Sequence, residues 1–266
     1  MSALTDTLDA CRAEGRAALI GYLPVGYPDV DTSIRAMVAM VEAGVDIVEV
    51  GPPYSDPVLD GPVIQLAVAR ALEAGVRMSD TFTAVRAIAD AGARAVVMSY
   101  FNPMLQHGLD AFARDVLAAG GSGVITPDLT PDAGADWVDA ARAVDLDTIF
   151  LVAPSTTRER MHLTAAASRG FVYATPLMGV TGERAAVGGA AERVVQEVRD
   201  AGAEHVCVGV GVSTREHAAQ ISRFADGVIV GTALVRCLAD AATPDAGIAA
   251  LRERVAELAA GVRQGR

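Results

Sequence analysis

Short runs rich in Val and Ile recur along the chain at 18–23, 46–50, 95–100, 123–126, 148–153, 170–174, 205–210 and 227–230. Most are apolar on both alternating faces. Strands of a parallel sheet covered on both sides have this pattern, whereas a half-exposed antiparallel sheet alternates in and out. Between the runs lie segments of helical period at 31–43, 62–74, 79–91, 109–119, 132–143, 157–168, 189–201 and 213–224. The last opens with Ser213-Thr-Arg-Glu216, the pattern of a capping box. Eight strand–helix units in 266 residues suit the ~250 residues of a (β/α)8 barrel. The pattern therefore predicts an α/β chain forming one TIM-barrel domain over 1–266. An extra N-terminal helix at about 3–14 should close the barrel floor, and a C-terminal helix at about 245–263 should pack outside. An open doubly wound sheet shares the alternation, but it usually has fewer strands and opens with a Gly-rich dinucleotide turn, which the first run lacks.

Composition narrows the chemistry. The 22 basic residues are all Arg, so Schiff-base aldolase chemistry, a lysine-anchored pyridoxal phosphate and a phosphate-loop lysine are excluded. A net charge of −11 argues against nucleic acid or an anionic membrane as partner. No stretch approaches the ~18 uninterrupted apolar residues of a membrane span, and acidic residues near the start do not suit an export signal. A cytoplasmic location is expected. The three cysteines, Cys11, Cys207 and Cys237, read as buried thiols rather than a disulfide framework.

In this fold, active-site residues follow the strands. The second run carries Glu49, which shares a face with Ile47 and opposes Val48 and Val50, so it should be largely buried. Burial would raise its pKa and suit it to carry a proton near neutrality; the alternative is a structural carboxylate satisfied by a nearby donor. Asp60 lies in a Pro/Gly-stiffened loop and, taken alone, reads equally well as a solvated turn residue. Tyr100 and Tyr173 end two further runs, and Asp128 follows the fourth. After the last two runs come Gly209-Val210-Gly211 and Gly231-Thr232, each leading into a helix. Glycines and helix N-termini can hold a phosphate without Lys. The loop 175–189, with Gly179, Gly182, Gly188 and Gly189, reads as a lid. His107, His162, His205 and His217 do not converge on the mouth, so no metal site is expected there. Neither is a nucleophilic triad.

These motifs together resemble the α subunit family of tryptophan synthase. The matching stretches are Tyr22-Leu-Pro-Val-Gly-Tyr-Pro28, Glu49-Val-Gly-Pro-Pro-Tyr-Ser-Asp-Pro-Val-Leu-Asp-Gly-Pro62, Gly179-Val-Thr-Gly182, Gly209-Val-Gly-Val-Ser213 and Gly231-Thr232. The resemblance implies retro-aldol cleavage of indole-3-glycerol phosphate to indole and glyceraldehyde 3-phosphate without metal or organic cofactor. It implies Glu49 as acid and base, and Asp60 as the carboxylate that holds the indole N–H. Tyr22, Tyr100 and Tyr173 would line the substrate, Thr181 would meet Asp60 on lid closure, and Gly182, Gly211, Gly231 and Thr232 would bind phosphate. The implied partner is a pyridoxal-phosphate β subunit in an α2β2 complex, docking on loops 52–60 and 101–108. Pro176 stands where the family commonly has Ser, Pro52 is unusual beside Pro53, and Thr232 replaces a common Ser. Besides a stand-alone indole-releasing lyase, the residues leave room for a phosphosugar isomerase or epimerase and for a non-catalytic regulatory subunit.

Overall fold

The computed structural model describes residues 2–175 and 184–265, with the backbone alone at 184–188. In chain order the elements are α1 (Ala3–Ala13), β1 (Ala18–Pro24), α2 (Val30–Ala43), β2 (Ile47–Gly51), α3 (Pro62–Glu73), α4 (Met78–Asp90), β3 (Arg94–Met98), α5 (Phe101–His107), α6 (Leu109–Ala118) and β4 (Gly123–Thr126). They continue as α7 (Ala135–Ala143), β5 (Asp147–Val152), α8 (Arg158–Ala167), β6 (Val172–Ala174), α9 (Arg184–Asp200), β7 (Val206–Gly209), α10 (Arg215–Ser222), β8 (Gly227–Val230), α11 (Thr232–Ala239) and α12 (Pro244–Val262). Each strand pairs in parallel with the next, and β8 pairs with β1, which closes the barrel.

The period of two in the runs becomes two apolar layers. Ile20, Ile47, Val96, Ile125, Ile149, Cys207 and Ile229 fill the interior with Leu4, Leu8 and Cys11 of α1. Leu19, Val48, Val97, Val124, Phe150, Val208 and Val228 face the helices. α1 is thus a plug: fully burying Leu4 and Leu8 contributes about 1.5–3 kcal/mol each. Ions tie it down at the floor. Arg12 donates to the Glu204 carbonyl and to Asp226 at 3.2 Å each, and Arg16 grips Asp46 through both terminal nitrogens at 2.8 and 2.9 Å.

Every strand lies within two residues of its predicted run. Helices differ more. The region 101–108, expected as a loop, is mostly α5, a seven-residue helix too short to show a period. Its Pro103 falls in the first turn, where a missing N–H costs nothing. α11 follows Gly231 directly, where a helix was expected without bounds. The cap of α10 is Thr214 rather than Ser213, its hydroxyl accepting from the His217 N–H at 3.3 Å, so a simple hydroxyl cap one residue later stands where the box was predicted. α7 begins three residues later than the pattern suggested, because 130–134 form turns before it.

Candidate active site

Glu49 sits on β2 opposite Tyr22 of β1 and Val96 of β3, one interior layer above Ile47. It is 1% exposed, and its Oε1 has no hydrogen-bond partner. Burial alone raises its pKa to about 8. A carboxyl left unpaired in a barrel interior is held protonated at neutral pH, yet a modest change in surroundings can ionise it. That is the reserve a proton carrier needs.

Asp60 immediately precedes Gly61 and Pro62, the N-cap and first residue of α3. Partial burial raises its pKa, and a hydrogen bond from the Tyr100 hydroxyl at 3.1 Å opposes that rise. The Tyr100 phenol is itself pushed up to about 12, chiefly by burial, so it remains a donor. Tyr22, Tyr54, Asp60, Met98 and Tyr100 face a shared cleft between the ends of β1, β2 and β3. Burial lifts the Tyr22 and Tyr173 hydroxyls well above the usual value, and the nearby charges of Asp60 and Glu49 add to it. Glu49, Asp60, Tyr22, Tyr100 and Tyr173 therefore form one electrostatic group at the barrel mouth.

Two glycines make that crowding possible. A Cβ at Gly51 would come within 2.5 Å of the Tyr22 hydroxyl, and one at Gly209 equally near that of Tyr173. Gly209, read from sequence as part of a ligand loop, thus has a packing reason instead. Gly211 differs: it has a left-handed φ of 69° and open space around its Cα. It leads to α10 only through Val212, Ser213 and Thr214, so its site is a glycine turn rather than the start of a helix. Gly231, which lies against Tyr22, is the N-cap of α11 without a side-chain cap, and Thr232 opens that helix. The first amides of such a helix have no intrahelical acceptor and can donate to an anion. β7 and β8 are neighbours, so these two turns share one side of the mouth. Thr181, Gly182, Pro176 and most of the expected lid lie outside the described residues.

Sequence reasoning overlooked Tyr54 and Asn102, which bond to one another at 3.3 Å across the mouth. Neither residue type carries a local signal for such a contact. Asp128, singled out by position, accepts the Phe101 N–H and so caps α5. Among the described residues, one trio with metal-ligand atoms close together is Asp9, Glu204 and His205, at the floor end. There Arg12 donates to His205 Nδ1 at 3.0 Å, which puts the ring proton on Nε2 and a guanidinium beside the trio. That arrangement does not suit a cation.

A buried, unpaired carboxyl among tyrosines, with a glycine turn and an uncapped helix start across the mouth, defines a (β/α)8-barrel enzyme that moves protons on a bound substrate. A family model described as tryptophan synthase alpha chain matches residues 8–263, and the chain belongs to that family. The tryptophan synthase alpha chain of Mycobacterium ulcerans is 60% identical over 263 residues, covering 99% of this chain and 96% of that one. A tryptophan synthase structure from Mycobacterium tuberculosis matches with TM-score 0.92 at 56% identity, covering 98% of both chains. The alpha subunit from Legionella pneumophila has TM-score 0.88 at 30% identity, again covering 98% of both.

Proposed function

We propose that Glu49 and Asp60 divide the chemistry of indole-3-glycerol phosphate cleavage, with the whole chain serving as one catalytic domain. As a member of its family the protein is a carbon–carbon lyase of tryptophan biosynthesis, releasing indole and glyceraldehyde 3-phosphate and working with a β subunit. The observation that carries the division of labour is the unpaired, 1%-exposed Glu49, whose pKa of about 8 keeps it protonated before reaction.

Protonated Glu49 gives its proton to indole C3, which leaves an iminium at the ring nitrogen. The resulting Glu49 carboxylate takes the proton of the glycerol hydroxyl next to C3. As that C–O becomes a carbonyl, the C–C bond breaks and its electrons return through C2 to the nitrogen. Protons and electrons balance on one carboxyl. Asp60 accepts the ring N–H and stabilises the positive charge that develops there. Tyr22, Tyr100 and Tyr173 line the substrate. Gly211, Gly231 and Thr232, with Gly182 and the lid residue Thr181, would hold phosphate and close the site. The substrate thus supplies its own electron sink, which fits a chain without Lys.

We place the β-subunit contact on 52–60 and α5, where Val58, Leu59 and Leu105 expose 74%, 56% and 52% of their surface. We place the protein in the cytoplasm, where a phosphorylated substrate is retained. Among the described residues no helix is long and apolar enough to cross a membrane.

The test is indole release by the purified chain, wild type beside Glu49→Gln, with and without a β subunit. Glu49-dependent release that the β subunit strengthens supports the reading. Equal rates for the two proteins would overturn the role of Glu49, and full unassisted turnover would overturn the dependence on a partner.

A further inference from the structure

Asp60 sits in a connection whose backbone is tied to α3 by the Gln65 side chain, which donates to the Asp60 carbonyl at 2.7 Å but leaves the carboxylate unplaced. The stretch from Pro52 to Gly61 has no helix or strand of its own, and its tip, Val58 and Leu59, is largely exposed. Hydrogen bonds from the tip converge on a single atom. The N–H groups of Val58 and Leu59 both donate to the Tyr100 hydroxyl oxygen at 3.1 Å, and that hydroxyl donates to Asp60 Oδ2 at 3.1 Å. One donor and two acceptor positions exhaust what a phenol offers. The ring also packs against Tyr54 with centroids 5.2 Å apart, and the Tyr54 hydroxyl accepts from Asn102. Tyr100 itself is firmly placed, since it stands between β3 and α5 and Asp128 caps the next residue.

We infer that Tyr100 is a positioning residue for Asp60: its hydroxyl fixes both the loop tip and one carboxylate oxygen, leaving the other free for the indole N–H. The inference rests on the Asp60 role proposed above. It goes beyond lining the pocket, because a ring that merely lined the site would not need its hydroxyl. Removing the oxygen should free the tip, and it should also take away a bond that favours the ionised carboxylate. In rate terms the consequence falls on the acid side, where Asp60 must be ionised to hold the ring nitrogen.

The experiment is steady-state cleavage of indole-3-glycerol phosphate by the α–β complex across pH, for wild type, Tyr100→Phe, Asp60→Asn and the double variant. Tyr100→Phe should lower kcat/KM roughly tenfold, the scale of a hydrogen bond to a charged group. Its acid limb should move to higher pH, and the double variant should be no slower than Asp60→Asn alone. A profile for Tyr100→Phe that superimposes on wild type, or losses that multiply in the double variant, would overturn the positioning role. If Asp60→Asn keeps full activity, the Asp60 assignment itself fails, and the role of Tyr100 falls with it. Should Tyr100→Phe fold poorly, site-specific 3-fluorotyrosine at position 100 keeps the ring and strengthens the donor. It must then move the acid limb to lower pH, and an unmoved limb counts against the inference.

Discussion

Glu49 at the mouth of this barrel and Asp226 and Asp46 at its floor are buried in opposite ways. At the mouth, Glu49 is buried with an oxygen that finds no partner. At the floor, Asp226 is equally buried but accepts from Arg12, Arg199 and the Val206 N–H, and Asp46 accepts from Arg16 and the Leu19 N–H. A buried charge with full partners acts as a bracket. One without partners stays protonated, costs stability when forced to ionise, and becomes a reagent. The difference lies in what surrounds each carboxylate rather than in residue type or in the face of the sheet alone, since at the same floor Asp147 is fully buried without a hydrogen bond to either oxygen and has only the Arg169 guanidinium 3.3 Å away.

Replacing Glu49 by Gln should separate the two most sharply. Activity should fall by roughly 10²–10⁴, the usual worth of a positioned acid–base group. Stability should rise, and the sign follows from linkage. The folded pKa of about 8 lies above the ordinary 4.5. The folded state therefore binds the extra proton between those values, and wild-type stability declines as pH climbs from about 4.5 to about 8. Gln cannot ionise, so its gain in Tm should be small at pH 5 and larger at pH 8. Thermal melts at the two pH values check this, and a gain that is the same at both would place the raised pKa in doubt.

At the floor, Arg16→Ala should reverse the pattern. It strands Asp46, whose side chain is 15% exposed, without the guanidinium that grips both its oxygens. Breaking a largely buried pair typically costs about 3 kcal/mol or more. Urea unfolding should show that loss, while kcat for the folded fraction stays within about twofold. A change in kcat without a change in unfolding midpoint would break the division between bracket and reagent.

Gly209→Ala is expected to cost less. The added methyl meets the Tyr173 hydroxyl at 2.5 Å, and displacing a buried ring costs about 1–3 kcal/mol. Here the loss should show in KM as well as in unfolding, because Tyr173 belongs to the mouth. The same residue shows how far the sequence could be read. The eight strands, the floor helix and the inward face of Glu49 follow from periodicity, which is local. Gly209 was open to misreading because a glycine that admits a neighbour's ring looks like one that admits a ligand. The tie between Tyr100 and Asp60 spans 40 positions and leaves no mark on either segment alone. α5 escaped because Asn102-Pro103 and Gly108 punctuate a segment of only seven residues.

The smallest effect should come from Asp9→Asn, and it tests whether burial, rather than the mere presence of a carboxylate, sets the worth of a floor interaction. Asp9 lies 3.3 Å from His205 Nε2 and 3.6 Å from Arg12, but 40% of its side chain is exposed. Burial, and next the Arg12 charge, lower the His205 pKa below 6.5. The imidazole is then neutral at pH 7, so Asp9 faces an uncharged ring whose Nε2 makes no hydrogen bond, rather than a cation. Solvent screens its remaining attraction to Arg12, which leaves less than about 1 kcal/mol. A depressed histidine pKa also means that the unfolded chain takes up the proton first, so this group lowers stability as pH falls below 6.5. Asp9→Asn removes a charge that favours the imidazolium and should make that acid-side loss slightly steeper. NMR titration of His205 beside urea unfolding at pH 7 and pH 5.5 checks both parts. A loss at pH 7 as large as that of Arg16→Ala would mean that the floor works by charge wherever it sits, and not by charge withdrawn from water.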